Sequence, residues 1–236
     1  MCYSEYLGDS MEPIFRIEQK KDTATGCLIF LHGTADSGPH IGGTIRALKG
    51  SSARFPHIKV IFPTASLIPF SAHGGQEVNT WYDISDFTED AVENTEHIEK
   101  SAKRIINIVN NEIYSGIPMN RIAVAGFSRG GAMSYYIGYS YLEGLAGVGV
   151  ISSWLPKTSS IYEKLKKPSG NLSPLFQAHG DLDCLVKPKL AEDTVNIFET
   201  AGVKTQFKKY PTIGHEFDRS VLDDLYLFLY NVIPDE

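Results

Sequence analysis

Six short apolar runs, rich in β-branched and aromatic residues, punctuate this chain: Cys27 to Leu31, Ile58 to Phe62, Ile122 to Ala125, Val148 to Ile151, Leu175 to Ala178 and Thr205 to Tyr210. Runs of this length and composition read as buried strands. Helix-like stretches lie between them: Thr88 to Ile113, as one long helix or a loop followed by a helix, then Gly131 to Leu142, Lys189 to Thr200 and Arg219 to Val232. Alternating strand and helix leaves few architectures open. The expectation is an α/β fold, a mostly parallel central sheet with helices on both faces, whose functional residues gather at the carboxyl ends of strands. A weaker pattern from Ile14 to Gln19 adds an antiparallel edge strand.

At 236 residues the chain suits one such domain, 1–236, and no repeat, low-complexity tract or Pro/Gly-rich linker divides it. Hydrophobic residues make up 42% and the formal charge is -6, a balance that disfavours a nucleic-acid surface. The basic clusters Lys164-Leu165-Lys166-Lys167 and Lys208-Lys209 read as solvated faces. No apolar run approaches the length of a membrane span, so membrane contact is expected to be peripheral at most. Met1 to Tyr6 lacks the features of a signal peptide, and the three cysteines, Cys2, Cys27 and Cys184, have no metal or redox spacing. A cytoplasmic protein with reduced thiols is expected; Cys2 is either a lipidation site or an ordinary surface thiol, and myristoylation is excluded because residue 2 is not glycine.

The chemistry is carried by Gly126-Phe127-Ser128-Arg129-Gly130, set between a strand and a helix. A serine on a sharp strand-to-helix turn has its hydroxyl pushed out of the sheet, and the flanking glycines let the backbone bend. The pentapeptide alone turns up by chance in roughly one chain in six of this composition, so its partners decide. A serine nucleophile needs a base, a group that orients the base, and donors for the oxyanion. His215 follows the strand Thr205 to Tyr210 and is the natural base. Two carboxylates, Asp181 and Asp183, follow the strand Leu175 to Ala178, and either is able to orient it. The order Ser, Asp, His is that of an α/β-hydrolase. The loop His32 to Gly38, after the first strand, supplies the second oxyanion donor: in nucleophile-elbow enzymes the pair is the N–H after the nucleophile and one from this loop, here Arg129 and Thr34.

Of the other histidines, His32 is expected to order the donor loop and His179 to pack beneath the Asp-bearing loop. His215-Glu216 lacks a second histidine at helical spacing, so a zinc-protease site is not supported, and the chemistry needs no metal and no cofactor. Arg129 brings positive charge to a helix N-terminus, which the helix dipole disfavours; an anionic substrate would offset that cost.

With these residues assembled, the chain resembles the acyl-protein thioesterase and lysophospholipase family of small α/β-hydrolases. The resemblance rests on stretches spread over most of the sequence, among them Ile29-Phe30-Leu31-His32-Gly33, Asp36-Ser37-Gly38, Phe62-Pro63-Thr64-Ala65, Trp81-Tyr82-Asp83, Gly126-Phe127-Ser128, Ser152-Ser153-Trp154-Leu155-Pro156 and His179-Gly180-Asp181. It implies that the second carboxylate of the His-Gly-Asp-x-Asp stretch, Asp183, is the triad member, with Asp181 a loop residue. It also implies the same oxyanion donors, Thr34 and Arg129. Arg129 stands where acyl-protein thioesterases usually carry Gln, and Gly74-Gly75 in the loop Leu67 to Thr80 looks more like the lysophospholipase-like branch, which implies a preference for shorter acyl esters. Leu67, Ile68, Phe70 and Trp81 are candidates to line an acyl pocket.

The expected function is therefore hydrolysis of acyl esters or thioesters, of S-acylated proteins or lysophospholipids, through Ser128, His215, Asp183 and an acyl-enzyme. The competing readings are a general short-chain carboxylesterase and a non-catalytic lipid- or partner-binding module on a hydrolase fold.

Overall fold

The computed structural model describes residues 14–166 and 170–235; Cys2 and Lys167 lie outside them. Seven strands form the central sheet: β1 (Phe15–Ile17), β2 (Gly26–Leu31), β3 (Ile58–Phe62), β6 (Ile122–Phe127), β7 (Gly147–Ile151), β8 (Leu175–Gly180) and β9 (Thr205–Tyr210), in the order β1-β3-β2-β6-β7-β8-β9. Only β1 runs antiparallel, pairing with β3, as the weak pattern at Ile14 to Gln19 anticipates. β2, β7 and β8 are buried along their whole length, because a parallel sheet covered on both faces has no side left for polar residues. β9 is an edge strand of alternating burial, and its lysines are paired: Lys208 with Asp224, and Lys209 with Asp181 and Glu192. Charged side chains there discourage further strand pairing.

The helices are α1 (Gly38–Lys49), α2 (Thr95–Tyr114), α3 (Arg129–Tyr136), α4 (Ile161–Leu165), α5 (Pro188–Thr200) and α6 (Arg219–Val232). One core buries Ile41 and Ile45 of α1 with Val221, Leu222 and Leu225 of α6. The opposite core buries Ile98, Ala102 and Ile105 of α2 with Ala132 and Met133 of α3 and Phe198 of α5. The segment from Thr88 resolves into a loop and then α2, which starts where the Asn94 side chain accepts the His97 N–H. α1 is an addition to the sequence reading; its signal was the Ser37 N-cap followed by Pro39 in the first turn. α3 passes into a π-helical turn, Ile137–Tyr141.

The remaining pair, β4 (Leu67–Phe70) and β5 (Gln76–Asn79), forms a separate antiparallel hairpin closed by Gly74 and Gly75, both at positive φ, which glycine adopts without steric cost. Phe70, Ile84, Ala91, Trp154 and Val186 make a third, small core beneath the hairpin and the loop that follows it. Within the main sheet the strand ends are in register: Leu31 pairs with Gly126, Phe127 with Ile151, and Gly180 with Tyr210. The loops after β2, β6, β8 and β9 therefore emerge along one edge of the sheet.

Candidate active site

Ser128 occupies the single residue between β6 and α3, with φ 53° and ψ -120°. A non-glycine residue in that region is strained, and such strain persists only where the surroundings over-determine it. Here the bend is fixed from both sides: the Ser128 N–H donates to the Ile151 carbonyl at 2.8 Å, and the Ser128 carbonyl accepts from Ala132 at 3.1 Å. The two glycines of the pentapeptide are explained by contact rather than flexibility. A Cβ on Gly126 would lie 2.4 Å from the Gly130 backbone, and one on Gly130 would lie 2.2 Å from the Leu31 carbonyl oxygen. The helix can thus press its first turn against the end of β2.

His215 Nε2 lies 2.9 Å from Ser128 Oγ, and its Nδ1 lies 2.8 Å from Asp183 Oδ2. With Nδ1–H donating to the carboxylate, Nε2 is free to accept the serine proton. The other carboxylate oxygen, Oδ1, accepts the N–H groups of Leu185 at 3.0 Å and Val186 at 2.8 Å. His179, buried beneath the loop as expected, donates from Nε2 to the Val186 carbonyl at 2.8 Å and lies 3.4 Å from Asp183 Oδ2. Burial of Asp183 alone would raise its pKa, but hydrogen bonds from His179, His215 and the Val186 N–H outweigh it and hold the carboxyl well below the usual range. Asp181 points elsewhere, to Lys209 at 2.9 Å. Of the two carboxylates left open by the sequence, only Asp183 touches His215.

The loop after β2 runs beside this serine: a Cβ on Gly33 would sit 3.5 Å from Ser128 Cβ. Thr34 follows it, with its hydroxyl 3.2 Å from that of Thr80. The Arg129 N–H belongs to the first turn of α3, where amides have no acceptor within the helix.

The Arg129 side chain corrects an expectation. It faces the interior instead of an incoming anion: Arg129 is 2% exposed, its Nη1 donates to the Tyr82 hydroxyl at 2.9 Å, and its guanidinium lies over the rings of Tyr82 and Trp154. Tyr82 in turn donates to Glu93 at 2.7 Å, and Tyr136 donates to the other oxygen of the same carboxylate at 2.5 Å. Burial raises the pKa of Glu93, partly opposed by the two phenols and Arg129. The buried guanidinium is held by a phenol and two aromatic faces, with the Glu93 carboxyl one hydrogen bond further on. Nothing in the spacing of residues 82, 93, 129 and 136 announces this network.

The four acyl-pocket candidates separate. Phe70 and Trp81 are buried; Phe70 packs edge-on against His73 and Phe87, and Trp81 donates from Nε1 to the His32 carbonyl at 2.8 Å. Those two serve as packing. Leu67 is 55% exposed and Ile68 is half-buried on the hairpin. An open groove of about 570 Å³, lined by Ala35, Asp36, Ser37, His40 and Asn79, lies along the loop after β2. Among the described residues no three His, Cys, Asp or Glu side chains gather as a metal site, and no helix is long and apolar enough to cross a membrane.

The sequence profile of the phospholipase/carboxylesterase family matches residues 12–233. Lysophospholipase-like protein 1 of Mus musculus is 33% identical over 209 residues, covering 89% of this chain and 87% of the mouse protein. Acyl-protein thioesterase 1 of Neurospora crassa is 34% identical over 216 residues, covering 89% and 88%. Among solved structures, acyl-protein thioesterase 2 of Zea mays superposes with a TM-score of 0.81 at 25% identity, covering 94% of this chain and 99% of that one. SOBER1 of Arabidopsis thaliana gives 0.77 at 25% identity, covering 88% and 99%.

Proposed function

The chain belongs to the phospholipase/carboxylesterase family of α/β-hydrolases, an enzyme family acting on acyl esters and thioesters, and from that premise we propose that Ser128, His215 and Asp183 are its catalytic triad. Ser128 Oγ attacks the acyl carbonyl while His215 Nε2 takes its proton. Asp183 fixes the tautomer and stabilises the imidazolium that forms. The N–H groups of Thr34 and Arg129 bind the developing oxyanion. His215 then gives its proton to the leaving oxygen or sulfur, and a water activated by the same ring hydrolyses the acyl-enzyme. No cofactor enters these steps.

The observation that carries this reading is the unbroken line from Asp183 through His215 to Ser128, at 2.8 and 2.9 Å, ending on a serine held at positive φ. We test it with a fluorophosphonate probe, which should label wild-type protein and not Ser128→Ala. Labelling that survives the substitution would show that another residue is the nucleophile.

S-acylated proteins and lysophospholipids are the substrate classes proposed, with short chains preferred, in one domain acting in the cytoplasm. A general short-chain carboxylesterase is the second reading, supported by the burial of Phe70 and Trp81, which removes two apolar side chains from any long-chain channel. A p-nitrophenyl ester series separates them. Activity that collapses beyond short acyl groups, with no release of thiol from an S-acylated peptide, favours the esterase.

A further inference from the structure

The donor loop after β2 is governed by one imidazole. His32 is fully buried, and its Nε2 accepts the Ala65 N–H at 2.9 Å. A ring nitrogen that accepts carries no proton, so in the neutral ring the proton is on Nδ1. Nδ1 lies 2.6 Å from the Gly33 carbonyl oxygen and must donate to it. Burial lowers the pKa of His32, and a second proton on Nε2 would point straight at the Ala65 N–H. The ring is held in place by Trp81, whose Nε1–H bonds the His32 carbonyl at 2.8 Å and whose ring packs at 5.2 Å.

The Gly33 carbonyl and the Thr34 N–H are two ends of one peptide unit. In a planar trans peptide they point in opposite directions, so fixing the carbonyl fixes the amide. The next unit is held as well: the Ala35 N–H donates to the Asn79 carbonyl at 2.9 Å, and Ala35 sits at φ 61°. Gly33 leaves this peptide a low barrier to turning over. Turned over, it would present a carbonyl oxygen where the oxyanion forms.

We propose that His32, locked by Ala65 as the Nδ1–H tautomer and steadied by Trp81, is a positioning residue that keeps the Thr34 N–H turned toward the carbonyl carbon attacked by Ser128. The proposal rests on Thr34 being an oxyanion donor. It gives Trp81 a task in the chemistry, through His32, in place of an acyl-pocket wall.

Two substitutions separate the two ring nitrogens. In His32→Asn the amide reaches where Nδ1 stands and still donates to Gly33. In His32→Gln the amide reaches where Nε2 stands, accepts from Ala65 and leaves Gly33 without a donor. Each is assayed for kcat and KM on a short p-nitrophenyl ester, for inhibition by an alkyl trifluoromethyl ketone, and for melting temperature. The ketone carbon bonds to Ser128 Oγ, the serine proton passes to His215, and the carbonyl electron pair becomes an oxyanion, so its affinity reports the hole directly. His32→Gln should lose about 10² to 10³ in kcat, as for removal of one oxyanion donor, with KM within about threefold and ketone inhibition weakened by a similar factor. His32→Asn should stay within about tenfold of wild type on both.

Equal losses in the two variants, or a fall in kcat with ketone affinity intact, would overturn the proposal. Should either variant fail to fold, Trp81→Phe keeps the packing and loses only the Nε1–H; it should lower kcat and ketone affinity together, and no change in either overturns the proposal equally. Failure of the underlying reading looks different: the ketone would then not inhibit wild type, or would inhibit Ser128→Ala as well.

Discussion

The guanidinium of Arg129 donates to the hydroxyl of Tyr82 and lies 4.8 Å from the centre of its ring, so the residue directly after the candidate nucleophile turns its charge into the protein. Its backbone and side chain have separate tasks. The amide belongs to the first turn of α3 and is the proposed oxyanion donor, while the side chain ties that turn to Tyr82 and, through Trp154, to the small core under the hairpin. Arg129→Gln should therefore cost stability, about 2 kcal/mol by urea unfolding, because it removes the buried hydrogen bond to the Tyr82 hydroxyl and the packing of the guanidinium on two rings. Its effect on kcat should be the same for neutral and anionic esters. A selective loss on anionic esters would restore a direct role in substrate binding.

Asp183 and Asp181 are two residues apart and differ in every contact. Asp183→Asn keeps the shape but favours the wrong tautomer of His215, and kcat should fall on the order of 10⁴, as in other serine triads. Asp181→Asn removes an exposed pair with Lys209, and turnover should stay within about twofold. The reverse pattern in steady-state kinetics would exchange the assignments.

The acid limb of stability should carry the mark of Asp183. Its folded-state pKa is depressed, so its ionised form stabilises the fold at pH values above the unfolded pKa of about 4, and that contribution is lost as pH falls toward the folded pKa. Wild type should therefore lose stability more steeply below about pH 4 than Asp183→Asn does. Parallel curves in pH-dependent urea unfolding would contradict this.

Close approach makes Gly130 irreplaceable, whereas Gly43 stands free. Gly130→Ala drives a methyl to 2.2 Å from the Leu31 carbonyl oxygen, and the first turn of α3 must retreat from β2. We expect destabilisation of at least about 2 kcal/mol and a fall in kcat, since the two loops that carry the proposed oxyanion donors flank that contact. Gly43 lies within α1 with nothing near its Cβ position, and Gly43→Ala should stabilise by about 0.5 to 1 kcal/mol with activity unchanged. Thermal unfolding and ester turnover of the two variants give the contrast.

Much of this architecture was legible because its signals are local. Apolar runs of strand length sort themselves into a buried parallel sheet, and Arg219 to Val232 forms the helix with the bounds its pattern gave. The Ser, Asp, His order is a property of the chain as written. α1 escaped because its pattern was weaker than its cap, and the hairpin of Leu67 to Asn79 because a Pro at residue 69 and short strands read as a loop.

The sequence by itself determined the fold and the strand ends that carry polar residues, and it marked Ser128 and His215 as candidates, because hydrophobic periodicity and strand-to-helix turns are encoded within a few neighbouring residues. Tertiary structure decided which carboxylate meets His215, that Trp81 is buried and bonds the His32 carbonyl, and that the Arg129 side chain is buried. Those outcomes depend on hydrogen bonds between residues 32, 65 and 81, or 82, 93 and 129, whose partners meet only when separate loops converge over one sheet edge. A buried polar group must find a partner, and only the folded chain says which one.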